Sequence, residues 1–425
     1  MIILMHDERD ILLRSTVAHL KACAVRVTEE IARGSSGSII YLVDTIIAHA
    51  HAARASDIHI DPTPLAVIVR LRIDGVLEHA HRIPLIFHTE IIARLKILCG
   101  LRTDEHQTAQ DGRFRLLIDE VIGIDVRVSI VPLYHGENAV LRLLIGQTEV
   151  CTLEHLGFTP SNQVKIRSAL EQSYGMILAT GPTGSGKTTT LYTLIQMLAT
   201  PDTSIITIED PIEYAIPGIN QIQVNTRTGL TFANGLRSML RQDPNIIMVG
   251  EIRDVETAGL AVNISLTGHM VLSTLHTNDA ATTLPRLLDM QVEPYLIAST
   301  VTLAISQRLL RLLCVYCKKQ KQLSMTELQS LRDFIPSDLL QSVVQVWVSM
   351  GCMYCNGSGY LGRIGIHELL VINTVIREGI LERASASRLR ALAIAAGMEP
   401  LMVDGFRKVV LGLTSIEELL TIRHE

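Results

Sequence analysis

The chain has 425 residues, of which 19% are charged and 48% hydrophobic, with a formal net charge of −5 and a mean hydropathy of +0.30. This balance excludes an intrinsically disordered chain and a broadly basic nucleic-acid surface, so we expect no nucleic-acid partner. The length predicts two or three domains, with enough chain to bury a sizeable core.

The first residues, MIILMHDERD, lack the basic opening and the apolar length of a secretory signal. The longest stretch without charged residues, Thr257–Asn278, is long enough to span a bilayer but contains asparagine, histidine and several hydroxyl side chains. We therefore interpret this stretch as buried core and place the protein in the cytoplasm.

The segment EIIARLKILCGLRTDEHQTAQDGR, residues 90–113, has apolar side chains at helical spacing followed by polar residues. The pattern predicts a helix that leads into a loop. Its polar side chains suit either an interface or a solvated helix face, and the sequence leaves both open.

A glycine-rich loop follows a predicted strand near the middle of the chain. In GMILATGPTGSGKTTTLYTLI, the strand Met176–Ala179 leads into the pattern G-x-x-x-x-G-K-[ST] and then into an amphipathic helix. Backbone N–H groups of such a loop converge on phosphate oxygens, Lys187 faces the β- and γ-phosphates, and Thr188 binds Mg²⁺. The alternative is a glycine-rich turn with an exposed lysine. The predicted site for ATP and Mg²⁺ comprises Gly181, Pro182, Thr183, Gly184, Ser185, Gly186, Lys187, Thr188 and Thr189.

Two further apolar strands end in glutamates. Ser204–Ile208 is followed by Glu209, and Ile246–Val249 is followed by Gly250 and Glu251. The carboxyl ends of parallel strands converge on the ligand crevice, so both glutamates are candidates for a magnesium and nucleotide site. Each one alone also fits a solvated strand end.

The stretch GHMVLSTLHTNDA predicts a third strand, which lies between His269 and His276. A neutral imidazole at the ligand end of such a strand is suited to contact the γ-phosphate. The alternative is a core histidine with its hydrogen bonds satisfied.

Four of the seven cysteines fall in two pairs, Cys314/Cys317 and Cys352/Cys355, each with two residues between its members. This spacing lets both thiolates of a pair face one tetrahedral ion, so the pairs predict a closed, structural zinc site. Three glycines around the second pair permit tight turns. The alternatives are reduced cysteines without a metal and a redox pair.

Taken in series, these motifs resemble the secretion ATPases of type II secretion systems and type IV pili. The resemblance rests on GPTGSGKTTTLY, IEDPIEY, LRQDPNIIMVGEIRD and TGHMVLSTLHTNDA, and upstream on ASDIHIDP, VRLRIDGVL, QDGRFR and VRVSIVPLYHGENAVLRLL. It runs from about residue 36 to the end. It implies an α/β fold, with a RecA-like P-loop ATPase core, a smaller α+β (PAS-like) domain before it and a four-cysteine zinc-knuckle insertion.

The resemblance also implies roles for individual residues. Glu209 and Glu251 would position the metal and activate the attacking water, and the choice of general base between them stays open. His276 would lie at the nucleotide end of its motif. Arg127 and Arg142 of the upstream domain would face the γ-phosphate. Guanidinium groups from a mobile domain stabilise transition-state charge and make hydrolysis depend on domain closure. The alternative for both is a surface arginine on a β-strand.

The predicted organisation has four parts: an N-terminal segment (1–35), an α+β domain (36–145), a linker (146–156) and the ATPase core (157–425), with the zinc subdomain at about 312–360. Family members commonly carry a longer N-terminal region that docks on an inner-membrane partner. The sequence leaves open whether the short segment before the resemblance binds such a partner.

The predicted function is that of a cytoplasmic hexameric ATPase, peripheral on the inner face of the inner membrane, that powers assembly of pilin or pseudopilin filaments. The resemblance implies further copies of the chain, an inner-membrane platform protein and a recruitment protein as partners. The four cysteines favour secretion or pilus extension over retraction. Two alternatives stay open: a traffic ATPase of a type IV secretion or DNA-uptake machine, and a nucleotide-dependent scaffold with little hydrolysis. Sequence alone supports an oligomer of unknown size.

Overall fold

The computed structural model describes residues 19–118, 122–144, 151–341, 343 and 345–422. The chain divides near residue 148 into two compact units, an N-terminal unit and a C-terminal unit, and the short segment Cys352–Gly357 groups with the N-terminal unit. None of the helices in the described ranges is both long and apolar enough to cross a membrane.

The N-terminal unit is an antiparallel sheet with helices. Residues 19–32 are helical. The following elements are α1 (Ile39–Ala52), β1 (Ala55–Pro62), β2 (Ala66–Ile73), β3 (Val76–Pro84), α2 (His88–Cys99), β4 (Gln110–Ile118), β5 (Ile122–Leu133) and β6 (Gly136–Leu144). Neighbouring strands are antiparallel, in the order β3-β2-β1-β6-β5-β4.

Alternating side chains give this sheet one apolar and one polar face. In β5, Val126 and Val128 are buried in a core that also receives apolar side chains from α1 and α2. Arg127 lies between the two valines and points to the opposite face, because successive residues of a strand alternate between faces. The predicted helix within 90–113 is confirmed as α2, which ends where Gly100 takes a left-handed φ of 64°.

The C-terminal unit alternates strands and helices. Its first half contains α3 (Pro160–Leu170), β7 (Gly175–Thr180), α4 (Lys187–Leu198), β8 (Ile205–Glu209), β9 (Asn220–Gln223), α5 (Phe232–Met239), β10 (Ile246–Val249), α6 (Val255–Leu266), β11 (Met270–Leu275), α7 (Thr283–Asp289) and α8 (Pro294–Thr300). Its second half contains β12 (Val301–Leu313), β13 (Lys319–Gln322), α9 (Met325–Leu331), α10 (Ser337–Gln341), β14 (Gln345–Val348), β15 (Tyr360–Val371), α11 (Thr374–Leu381), α12 (Ala386–Ala395), α13 (Leu401–Val410) and α14 (Ile416–Thr421). Short 3₁₀ turns lie at Gly34–Ser36, Leu85–Phe87, Thr226–Thr228, Leu240–Gln242 and Met353–Cys355.

Seven of these strands form one mixed sheet in the order β15-β12-β7-β11-β10-β8-β9. All neighbours are parallel except β12 and β15, which are antiparallel. Met176 and Leu178 of β7 enter one hydrophobic core, and Ile177 and Ala179 enter a second core. Both faces of β7 are therefore buried, as expected for a parallel strand covered by helices on each side. This is the α/β architecture that the sequence predicts.

The four strands predicted around the nucleotide motifs are confirmed as β7, β8, β10 and β11, and the helix after the glycine loop is α4. The uncharged stretch Thr257–Asn278 forms most of α6 and all of β11. Every residue of β11 is buried, so the interpretation of this stretch as core is confirmed.

Candidate nucleotide site

Three glycines shape the P-loop between β7 and α4. Gly181, Gly184 and Gly186 have φ of 139°, 80° and 87°, a region that favours glycine. A Cβ on Gly181 would lie 2.5 Å from the carbonyl oxygen of Gln307, and one on Gly186 would lie 2.7 Å from the Gln307 amide nitrogen. The loop thus fits closely against β12 and brings its backbone to the N-terminus of α4, where a helix stabilises an anion.

Lys187 is buried at the start of α4. Its ammonium donates hydrogen bonds to the carbonyl oxygens of Gly181 and Pro182, each at 2.8 Å. Burial lowers the pKa of Lys187 to about 8, and the nearby charge of Glu251 partly opposes this shift. Such a cation is stabilised by an added negative charge, as a phosphate would provide.

A second observation at the loop also fits a phosphate. The hydroxyl oxygen of Ser185 is buried and has no hydrogen-bond partner among the described residues. A buried polar group of this kind costs free energy unless something bonds to it. The loop therefore combines a buried cation, a helix N-terminus and an unused hydroxyl, which together fit the β- and γ-phosphates of a nucleotide.

Two residues of β12 that are not among the predicted site residues hold the P-loop and the loop after β11. Gln307 donates to the carbonyl oxygen of Ser185 at 2.8 Å and accepts from the hydroxyl of Thr190 at 2.6 Å. Arg308 donates to the carbonyl oxygen of Asn278 at 3.1 Å. The signal in the sequence is a polar Gln–Arg pair inside the mainly apolar run VTLAISQRLL.

The two candidate glutamates end neighbouring parallel strands. Ile208 pairs with Val249 in register, which sets Glu209 opposite Gly250. A Cβ on Gly250 would lie 3.3 Å from the Cα of Glu209. The glycine before Glu251 therefore leaves space for the strand end that carries Glu209, and the two carboxylates share one edge of the sheet.

Glu251 lies among positive and titratable groups. Its Oε1 is 2.5 Å from the Nη2 of Arg253, and its Oε2 is 3.3 Å from the Nε2 of His276. Its charge raises the pKa of Lys187, opposing the effect of burial. Glu251 therefore acts electrostatically on the cation of the P-loop.

Glu209 has a different environment. It is 2% exposed, and its Oε1 accepts hydrogen bonds from Thr207 at 2.6 Å and from the amide of Gln221 at 3.1 Å. Its Oε2 accepts from the phenol of Tyr192. Within the described chain, no lysine or arginine lies within ion-pair distance of this carboxylate. Three uncharged donors therefore hold it.

The structure separates the two histidines of the third strand. His276 follows the carboxyl end of β11 and contacts Glu251, at the same end of the sheet as the P-loop. His269 precedes the first residue of β11, and its Nδ1 lies 3.1 Å from the carbonyl oxygen of Ile264. His269 thus lies at the opposite end of the strand, so only His276 of these two histidines lies at the P-loop end of the sheet.

The two candidate arginines are neighbours within the N-terminal unit. Arg127 of β5 and Arg142 of β6 are register partners on the polar face of the sheet, and Arg113 of β4 pairs with Arg127 on the other side. The Arg142 side chain is 54% exposed, and its Nε lies 3.1 Å from a carboxylate oxygen of Asp57. Sequence positions that are 15 residues apart thus form one row of guanidinium groups.

The four paired cysteines form one cluster. Their sulfur atoms all lie within 4.8 Å of one another, and the Sγ atoms of Cys352 and Cys355 are 3.6 Å apart. Four sulfurs around a tetrahedral zinc ion are about 3.8 Å apart, because Zn–S bonds are about 2.3 Å long. The cluster therefore fits a tetrahedral metal. None of the seven cysteines, all of which are described, forms a disulfide.

The turns around the second pair use the glycines noted in the sequence. Gly351, Gly357 and Gly359 have φ of 81°, 80° and 79°. A Cβ on Gly359 would lie 2.4 Å from the Cβ of Ser349. These glycines allow the chain to fold back so that both thiols of the pair face the same point.

Comparison with known proteins identifies the family. A family model described as "Type II/IV secretion system protein" matches residues 32–421. The type IV pilus assembly ATPase PilB of Thermus thermophilus is 44% identical over 89% of this chain and 42% of its own length. The type II secretion system protein E of Xanthomonas campestris pv. campestris is 45% identical over 92% of this chain and 68% of its own length.

The chain belongs to the type II/IV secretion system protein family. The predicted family, and with it the interpretation of the chain as a secretion or pilus-assembly ATPase, is confirmed. The chain spans less than half of the length of the Thermus relative.

Solved structures support the fold. The pilus retraction motor PilT with bound ADP is 27% identical, with a TM-score of 0.60, over 89% of this chain and 96% of PilT. The ATPase DotB of Legionella pneumophila is 23% identical, with a TM-score of 0.65, over 90% of this chain and 95% of DotB. The likeness to DotB shows the fold alone. Both comparisons extend over the N-terminal and the C-terminal units.

Proposed function

We propose that this family member is a ring-forming ATPase that converts ATP hydrolysis into domain motion for the assembly of pilin or pseudopilin filaments. The observation that carries the proposal is the convergence of Lys187, Glu209, Glu251 and His276 at one edge of the sheet. Relatives named as a pilus assembly ATPase and a type II secretion protein support the choice of machine.

The P-loop residues bind the nucleotide in this proposal. Backbone N–H groups of residues 183–189 and the ammonium of Lys187 hold the β- and γ-phosphates. Thr188 and Glu251 hold Mg²⁺, which neutralises phosphate charge when it is bound. Support for Glu251 comes from its electrostatic effect on Lys187.

Glu209 orients the attacking water and accepts its proton. The support is that the carboxylate oxygens of Glu251 already contact Arg253 and His276. The donors around Glu209 are uncharged. This difference between the two glutamates supports Glu209 as the proposed base.

The N-terminal unit completes the site when subunits assemble. Arg127 and Arg142 form an adjacent pair on a polar sheet face, which suits the spread of charge over a γ-phosphate in the transition state. We infer a ring of six subunits, with a PAS-like N-terminal unit as the mobile part. The six-stranded antiparallel sheet with two helices in its core supports that PAS-like identity.

The metal at the four cysteines is zinc in this proposal. Four thiolates at tetrahedral spacing suit zinc, and they leave no coordination position for water. The metal therefore holds structure and takes no part in hydrolysis. An intact cluster also supports filament assembly over retraction or DNA traffic.

The proposed setting is the cytoplasmic face of the inner membrane. The protein works there as a peripheral component, bound to a polytopic platform protein and to a recruitment protein. Filament subunits are then moved by the platform as the ring changes shape during ATP turnover.

The test compares Lys187→Ala with Lys165→Ala, an exposed lysine that donates to a backbone carbonyl at 3.3 Å. Phosphate release from Mg-ATP should be abolished by the first change and kept by the second, with both variants folded by circular dichroism. In the source organism, Lys187→Ala should abolish surface pili or secretion. Normal turnover by Lys187→Ala would overturn the proposed ATPase site, and normal filaments with an inactive enzyme would overturn the proposed machine.

A further inference from the structure

The carboxylate of Glu209 is enclosed by donors from three separate elements. Thr207 lies two residues earlier on β8 and therefore on the same face of the strand. Gln221 belongs to β9, where it is the register partner of Thr207. Tyr192 belongs to α4, the helix that begins at the P-loop. Each carboxylate oxygen therefore has at least one donor fixed by a different part of the fold.

Tyr192 is the donor that connects Glu209 to the phosphate-binding helix. Its side chain is fully buried and packs edge-on against Tyr214, with ring centroids 4.7 Å apart. Its oxygen accepts from the backbone N–H of Glu213 at 3.4 Å, which directs its hydrogen toward Glu209. Burial, then the bond to Glu209, raises the pKa of Tyr192, so the phenol stays protonated and remains a donor.

We propose that Tyr192 is a positioning residue for ATP hydrolysis, which fixes the carboxylate of Glu209 relative to the P-loop through a hydrogen bond from α4. The inference rests on the proposed role of Glu209 as the group that orients water. Thr207 is the second member of this arrangement, because it holds the other carboxylate oxygen.

The physical reason is that a proton acceptor works only in one orientation. A carboxylate at a strand end rotates about its terminal torsion, which has a broad energy minimum. Donors on both oxygens stop that rotation and keep one lone pair directed at the crevice. Tyr192 lies five residues after Lys187 on one helix. Lys187, which faces the phosphates, and Tyr192, which holds the carboxylate, then belong to one rigid helix. The distance between the phosphates and the carboxylate is thereby fixed, as hydrolysis requires.

A purely structural role for Tyr192 predicts different behaviour. In that case, loss of the hydroxyl would lower thermal stability and affect binding and turnover together. A positioning role predicts a lower kcat with nucleotide affinity and stability unchanged. It also predicts that the hydroxyl has no effect once the carboxylate is gone.

The experiment uses the full chain and four variants, which are Tyr192→Phe, Thr207→Val, Glu209→Gln and the double variant Tyr192→Phe/Glu209→Gln. Tyr214→Phe is the matched control, since it removes the phenol hydroxyl of a partly buried tyrosine beside Tyr192 that does not bond to Glu209. Mg-ATP turnover gives kcat and KM, calorimetry with the non-hydrolysable analogue AMP-PNP gives affinity, and thermal melting gives stability.

Tyr192→Phe should lower kcat about 10- to 100-fold, with the affinity for AMP-PNP and the melting temperature close to wild type. Tyr214→Phe should keep the wild-type kcat. The double variant should be no slower than Glu209→Gln alone, because coupled residues give non-additive effects. If Tyr192→Phe fails to fold, Thr207→Val, set against the hydroxyl-retaining Thr207→Ser, should show the same split.

Three outcomes would overturn the inference. These are an unchanged or higher kcat in Tyr192→Phe while Glu209→Gln is inactive, a further loss in the double variant, and equal losses in Tyr192→Phe and Tyr214→Phe. Full turnover by Glu209→Gln would instead contradict the proposed role of Glu209, so the two failures are distinguishable.

Discussion

At the residue scale, the site is governed by a buried cation. Lys187 donates to two carbonyl oxygens of its own loop, which stabilises the ammonium without a full counter-charge. Burial nevertheless lowers its pKa from 10.5 to about 8. The free protein therefore holds a lysine that titrates close to physiological pH, and a bound phosphate would restore its charge.

ATP binding should take up a proton in mildly alkaline solution. The negative phosphates raise the pKa of Lys187 above its value of about 8 in the free protein, so binding above this pH protonates the amine. We expect affinity to be constant below this pH and to fall as pH rises through it. Calorimetry at about pH 9 in buffers of different ionisation enthalpy measures the uptake.

The control for this prediction is Lys187→Met, which lacks a titratable group at the same position. It should show weaker binding without the uptake attributed to the lysine. Equal proton uptake in wild type and Lys187→Met would contradict the assignment to Lys187.

At the element scale, β12 connects the nucleotide site with the cysteine cluster. Gln307 in the middle of β12 bonds to the P-loop and to α4, and Cys314 directly follows the last residue of the strand. β15, the antiparallel partner of β12, begins at Tyr360, shortly after Cys355. A metal bound at the cluster would therefore link the end of β12 to the segment just before β15.

Gln307→Leu should weaken the P-loop without changing the sheet. The leucine keeps a similar size but leaves the carbonyl oxygen of Ser185 and the hydroxyl of Thr190 without this partner, at a cost of about 1–3 kcal/mol in unfolding free energy. Urea unfolding measures that loss, and AMP-PNP binding should weaken with it. Gln163→Leu, which removes a bond from α3 to the backbone carbonyl of Phe158, is the control and should keep nucleotide affinity.

Purified protein should contain about one zinc per chain, because a closed four-thiolate site binds this metal tightly. Cys352→Ser should lower both the zinc content and the melting temperature, since the metal closes a loop between residues 318 and 351. Elemental analysis and thermal melting are the measurements. Cys99→Ser changes a cysteine outside the cluster and should keep the zinc. Protein without zinc and with the same stability would refute this prediction.

At the scale of the whole molecule, the nucleotide motifs and the candidate arginines belong to two different compact units. The C-terminal unit contains the P-loop, the glutamates and His276, while Arg127 and Arg142 lie in the N-terminal unit. Assembly of subunits is the proposed way to complete the site.

Arg127→Ala and Arg142→Ala should therefore keep nucleotide binding but lower turnover, by a factor on the order of 10³ if they act as arginine fingers. Arg102→Ala is the control, since this exposed arginine pairs with Asp104 at 2.9 Å. Turnover per chain should rise with protein concentration as rings form, with sedimentation measured on the same samples. A fully active monomer, or arginine variants with normal rates, would disprove the coupling of assembly to hydrolysis.

Local sequence determined the features that depend on neighbouring residues. The P-loop was predictable because its glycines, lysine and flanking strand and helix lie within one short segment, β7 to α4. The cysteine cluster was predictable because two residues between ligands suit one metal ion. The strand ends that carry Glu209 and Glu251 were predictable because each follows an apolar run.

Only the tertiary structure decided which of these segments meet. The bond of Tyr192 to Glu209, the contacts of Gln307 with the P-loop and the fit of Gly250 against Glu209 join residues on different strands and helices. Ser185 and Gln307 are 122 positions apart. Strand order and register set these contacts, and they leave no periodic pattern in the sequence. The same cause placed His276, which follows β11, against Glu251, which follows the neighbouring strand β10.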